Sequence, residues 1–129
     1  MKNIIDVLKE QEGFQSASGA SKEDIDRAEY SLSLSFSDEF RKYLAQLGSA
    51  AFRSHELTGI TKSSRLSVID VTKEERAKNP EIPLKWYVVE QLHIDDVSIW
   101  QAGTGEIYQV IPGTAPIKLC DSLVEYIES

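Results

Sequence analysis

The chain contains one cysteine, two histidines and, beyond Lys85, a single cation, Lys118. Each scarcity removes a class of function. With Cys120 alone, an internal disulfide is impossible and a cysteine zinc site is excluded. His55 and His93 give little material for a metal centre or an acid–base pair, and neither stands at a recognised ligand spacing. No stretch approaches the ~18 unbroken apolar residues that a membrane helix requires. The opening Met1-Lys2-Asn3-Ile4-Ile5-Asp6 interrupts its apolar run with an acid, unlike a signal peptide. These features lead to the expectation of a cytoplasmic protein with no membrane partner, no cofactor and no metal. There is also no internal repeat, low-complexity tract or long linker.

What is present is an ordinary globular composition with an excess of acid. The 129 residues are 41% hydrophobic and 27% charged, which suits one domain over residues 1–129, long enough to bury roughly two-thirds of its unfolded surface. The formal charge of −7 disfavours nucleic acid, because phosphate binding needs clustered Lys and Arg. It is compatible with a basic protein partner. The charge is uneven: residues 1–50 hold six basic and nine acidic side chains, residues 51–85 seven and five, and residues 86–129 one and seven.

Along the chain, Asn3 to Glu12 reads as a helix with Ile4, Ile5, Val7 and Leu8 on one stripe and Gly13 as its stop. Gln15 to Ala20 is a loop by composition. Ser21-Lys22-Glu23-Asp24 caps a second helix, and Ile25, Ala28 and Leu32 keep helical spacing after it. Ser37-Asp38-Glu39 caps a third helix with Phe40, Tyr43, Leu44 and Leu47, ended by Gly48. His55 to Ile60 reads as a strand, and the β-branched run Arg65 to Val71 as another. Thr72-Lys73-Glu74-Glu75 has the form of a capping box before a short helix that Pro80 and Pro83 end. Trp86 to Val89, Val97 to Gln101, Glu106 to Ile111 and Ala115 to Leu119 then form a meander, with Gly103 and Gly105 in a hairpin turn. Asp121 or Ser122 caps a last helix. The expected class is α+β: a central, mostly antiparallel sheet packed against N-terminal helices, with a short C-terminal helix.

The series Ile25-x-x-x-Glu29-x-x-Leu32-x-Leu34, Phe36-x-Asp38-Glu39-Phe40, Leu44-x-x-x-Gly48 and Glu56-Leu57-x-Gly59-Ile60 resembles the SUKH superfamily, bacterial immunity proteins related to a fungal cell-wall synthesis regulator. Gly103-Thr104-Gly105-Glu106-Ile107-Tyr108 resembles its late hairpin. Two positions depart from the pattern: Ser33 stands where the family often has glycine, and Ser37 where it often has proline. The resemblance implies an interaction module that neutralises a cognate toxin by binding it. It carries over no catalytic residue.

Several side chains invite a chemical reading. His55 beside Glu56, and His93 with Asp95 and Asp96, can be drawn as metal or acid–base clusters, but neither spacing matches a metal motif and surface histidines near acids are the expected explanation. Cys120, between an apolar strand and a helix cap, is expected to pack. The Gly103–Gly105 loop lacks the lysine and following helix of a phosphate cradle. Glu29 is expected to reach backbone amides of the loop after the third helix. The aromatic and acidic residues Trp86, Glu90, Asp95, Asp96, Trp100, Glu106 and Tyr108 are the candidate partner-binding set, with at least one of the tryptophans packing under the helices. The function expected is that of an immunity protein that occludes the active site of a basic toxin such as a nuclease. An intracellular regulatory or scaffold module that binds a cellular protein or peptide is the alternative, and a small hydrolase or metal enzyme a third.

Overall fold

In the computed structural model, which describes residues 2–129, five helices and seven short strands follow one another as α1 (Ile4–Lys9), β1 (Gln15–Ser16), α2 (Lys22–Leu32), α3 (Asp38–Leu47), β2 (Ala50–Phe52), β3 (His55–Glu56), α4 (Val68–Lys78), β4 (Tyr87–Gln91), β5 (Ser98–Gln101), β6 (Ile107–Val110), β7 (Ile117–Cys120) and α5 (Leu123–Glu128). Helix starts follow local chemistry. The Ser21 hydroxyl accepts from the Asp24 amide, that of Ser37 from the Phe40 amide and that of Ser122 from the Glu125 amide. Serine also ends α2: Ser33 takes the left-handed conformation (φ 57°, ψ 45°) that glycine usually supplies.

The strands form two antiparallel sheets, β1-β2-β3 and β4-β5-β6-β7, linked by a single antiparallel bridge between Leu57 and Glu90. The larger sheet is covered on both faces. On one, Tyr87, Val89, Ile99 and Ile107 join the core built by α1, α2, α3 and α5. On the other, Val88, Trp100 and Val110 pack with Val71 of α4 and Ile82. A polar network ties the layers together. The Tyr87 hydroxyl accepts from the Ser37 amide (3.0 Å) and donates to Gln101 Oε1 (2.7 Å), while Gln101 Nε2 donates to Glu39 (3.0 Å). Glu39 in turn accepts the Leu123 and Val124 amides at the start of α5 (2.7 and 3.0 Å).

The α+β class and the order of elements agree with the sequence expectation, and three local readings change. Residues 65–71 are not a strand. Ser67 accepts from the Asp70 amide and starts α4, which absorbs the β-branched run, and the Thr72 hydroxyl accepts from Val88 N of the sheet (3.0 Å) instead of capping. Gln15 and Ser16 are not loop but pair with Ala51 and Ala50. Glu29 acts one connection earlier than expected: its carboxylate accepts from Phe36 N (2.8 Å), between α2 and α3, and pairs with Arg41.

The segment after α3 crosses its own chain closely. A Cβ on Gly59 would lie 1.9 Å from the Gly48 carbonyl oxygen and 2.8 Å from Ser49 Cβ, and one on Gly48, at φ +71°, 2.2 Å from Ser18 O. Both contacts are with backbone or its immediate Cβ, which cannot swing aside. Gly59→Ala is expected to lower unfolding free energy by about 3 kcal/mol, the upper end of overpacking costs, read as a reduced urea midpoint with an unchanged slope. Glu29→Gln keeps an acceptor for Phe36 but loses the charge opposite Arg41. Urea titration should show a loss of about 1–2 kcal/mol, and an unchanged midpoint would refute the structural role.

Candidate protein-interaction surface

Simple alternation along β4 puts Trp86, Val88 and Glu90 on one face, and a bulge changes that. Val88 pairs with Trp100, but the register then shifts and Glu90 pairs with Ile99. Because cross-strand partners share a face, Glu90 turns to the Ile99 side, beneath α5. There it is 3% exposed. Its two oxygens lie 3.1 and 3.0 Å from His55 Nδ1, and one accepts from the Tyr126 hydroxyl at 2.5 Å. This tie joins β3, β4 and α5. Glu56, the residue next to His55, does not join it in a cluster and is held by Arg65 (2.8 and 3.1 Å).

Trp100 does share the face of Tyr108, its cross-strand neighbour. Its side chain is nonetheless 0% exposed, covered by α4 and Ile82, with Nε1 donating to Ser98 Oγ at 2.8 Å. Glu90 and Trp100 therefore offer a partner no surface in this fold, and the reason is burial in both cases.

The other five candidates reach the surface in two places. Trp86 and Tyr108 are half-buried and stacked, ring centres 4.0 Å apart and planes 16° from parallel. Glu106 accepts from Thr104 Oγ1 (2.5 Å) in the adjoining hairpin. Asp95 and Asp96 stand apart from these, exposed in the β4–β5 loop, where His93, Asp95 and Asp96 all have positive φ (58°, 54° and 59°).

A groove of about 890 Å³ opens beside Trp86, with Tyr30, Leu34, Lys85, Ala102 and Thr104 among its lining. Arg76 shapes it: one guanidinium nitrogen donates to Leu32 O (3.0 Å) and to Leu84 O (2.7 Å), drawing the end of α2 against the segment that leads into β4. The groove presents large apolar surface to solvent. Tyr30, in its lining, is 86% exposed, and Leu84, outside the lining but two residues before Trp86, is 69% exposed. Sequence reasoning did not single out either. The signal available for Tyr30 is its position off the Ile25, Ala28, Leu32 stripe, which leaves an aromatic on the solvent side of a helix.

A family model described as SMI1-KNR4 cell-wall, SUKH_5, matches residues 1–111. The chain is a SUKH protein. A comparison with curated proteins finds no match. Among solved structures, a protein from Pseudomonas syringae pv. tomato superposes with a TM-score of 0.75 at 14% identity, over 100% of both chains. At that identity the likeness is one of fold. The family match runs through α1 to β6 and includes the whole groove, while β7 and α5 lie beyond it.

The polar groups of this SUKH protein mostly hold structure. Burial raises the Cys120 thiol above its usual range, and Sγ lies 3.4 Å from Ser122 O. Burial likewise raises Tyr43, Tyr87 and Tyr126, the last also opposed by the Glu90 charge. A phenol with a raised folded pKa contributes stability that is complete below the unfolded value of about 10 and is lost as pH rises through the folded one. We expect unfolding free energy to fall as pH rises above about 10, the free-tyrosine value, with these three of the five tyrosines ionising only as the chain unfolds. Absorbance at about 295 nm during alkaline titration, with circular dichroism alongside, reads both.

Proposed function

We propose that this protein is an immunity factor that binds a basic toxin domain and blocks it by occlusion, without chemistry of its own. The observation that carries the reading is the groove: exposed Tyr30 lines it together with Trp86, which stacks on Tyr108 of a C-terminal sheet with a single cation beyond Lys85. Aromatic anchors in a recess with a polar rim are the composition of binding hot spots. Glu106 beside the stack, and Asp95 and Asp96 in the β4–β5 loop, supply negative charge at a distance from the anchors. Such charge accelerates encounter with a basic partner, most at low salt, more than it holds the complex. Membership of the SUKH family supports an interaction role, and toxin neutralisation is the finer step. Localisation in the cytoplasm, where a toxin of the same cell would act, belongs to the same proposal, as does a single folded unit over residues 1–129.

Co-expression with the toxin encoded beside this gene is the direct trial: survival is expected, and cell death despite soluble immunity protein would overturn the reading. Tyr30→Ala sharpens it. The side chain is solvent-facing, so the melting temperature should be unchanged while affinity for the toxin falls at least about tenfold, as for a hot-spot aromatic. Unaltered affinity in calorimetry would remove the groove from the interface.

A further inference from the structure

A second recess lies between α4 and the β4–β5 loop, about 530 Å³ in volume, and its chemistry differs from that of the groove. Five carboxylates line it, those of Asp70, Glu74, Glu75, Asp95 and Asp96. Glu75 is the informative one. It is 3% exposed, and its Oε2 accepts from Gln91 Nε2 (2.8 Å) and lies 3.4 Å from Lys78 Nζ, while Oε1 has no partner at all. A carboxylate oxygen shielded from water and left without a donor is costly, and an outside donor would have to displace Lys78 from the mouth to reach it.

The two cations at this recess do not meet that need. Arg65 spends both of its terminal nitrogens on Glu56. Lys78 is held loosely at the mouth, 3.4 Å from Glu75 and 3.9 Å from both Glu74 and Asp96, with its side chain 42% exposed. Its ammonium shows what charge the recess accepts, and its long contacts leave that charge displaceable. Among the described residues no three His, Cys, Asp or Glu converge as a metal ligand set. The required donor must reach a buried carboxylate and the acids at the rim together. A guanidinium does this with a planar fork of five N–H groups, where an ammonium supplies one compact point.

We propose that this recess is a receptor for one arginine side chain of the protein partner, whose guanidinium displaces Lys78 and binds Glu75 from the rim formed by Asp95 and Asp96. The proposal rests on the reading of a basic protein partner and adds a second, polar contact to the apolar groove.

The test needs no toxin. The probe is the blocked tripeptide Gly-Arg-Gly, compared with its lysine and citrulline counterparts, titrated into the ¹⁵N-labelled protein. The arginine peptide should give saturable shifts at the Gln91 side-chain amide and the Asp95 to Val97 backbone amides. Lysine should bind several-fold more weakly, and the neutral isostere citrulline should leave these signals in place. Glu75→Gln should weaken the arginine peptide at least about tenfold, the loss expected of a charged hydrogen bond. Should that variant fail to fold, Asp95→Asn with Asp96→Asn decides, since asparagine tolerates the left-handed backbone of both sites. The pair should keep a native spectrum and lose several-fold in affinity. Absence of a saturable shift, equal binding of citrulline, or wild-type binding by the Asn pair each overturns the proposal. Protection from the toxin that persists in the Asn pair, with unchanged affinity, sinks the arginine receptor and leaves the immunity reading intact. Failure of protection with the peptide titration preserved does the reverse.

Discussion

The passage of Gly59 across the carbonyl of Gly48 is the constraint on which the rest of the chain depends. At this crossing Ile60 N donates to Gly48 O (2.9 Å), so the end of α3 is fixed to the strand-like segment that follows the first hairpin. The same few residues face the other way too. Thr58 N donates to Val89 O and its hydroxyl to Val88 O (both 2.8 Å), and Gly59 O accepts Val68 N at the start of α4 (2.9 Å). Tyr43 of α3 reaches the same place, its buried hydroxyl donating to Thr58 O at 2.7 Å. Three consecutive residues thus join two helices and both sheets. A Cβ at residue 59 would drive into the Gly48 carbonyl and push this segment off the end of α3, which is why the position is glycine.

Much of this architecture is written locally. Ser21 and Ser37 cap helices in the way their spacing announces, and the Phe40, Tyr43, Leu44, Leu47 stripe is buried as its period requires. What the residues hide is non-local. The Arg65 to Val71 run has the composition of a strand, yet its first helical turn is nucleated by Ser67 and stabilised because Val68 and Val71 find buried surface. The pairing of Gln15–Ser16 with Ala50–Ala51 spans too few residues to carry a period. Ser33, in the place of the glycine its family often uses, shows that the left-handed cap is a property of the position, which a short polar side chain can occupy.

The candidate interaction residues were legible to a lesser degree, and the failures have one cause each. Glu90 left the expected face because a one-residue register shift in β4 reverses direction, and no composition signals such a shift. Trp100 is the tryptophan that packs under a helix, as expected of at least one of the two, and it does so because α4 is a longer helix than the Thr72 capping box indicates. Trp86, Tyr108, Glu106, Asp95 and Asp96 do reach the surface, but in two places and with two chemistries. The grouping by sequence proximity merged what the β4–β5 hairpin separates. Tyr30 and Glu75 come from helix positions far from the meander and enter only once the chain is folded.

The two tryptophans of this chain sit in opposite environments, and that gives the protein a pair of built-in optical reporters. Trp100, enclosed and hydrogen-bonded through its indole nitrogen, can change its emission only when the layers around it come apart. Trp86, stacked on Tyr108, half-buried and lining the groove, is reachable by a collisional quencher in the native state. Shielding of the quenchable fraction without a shift of the buried one marks occupancy of the groove. A shift of the buried one marks loss of structure. Binding and unfolding thereby become separable in one cuvette, with no label attached.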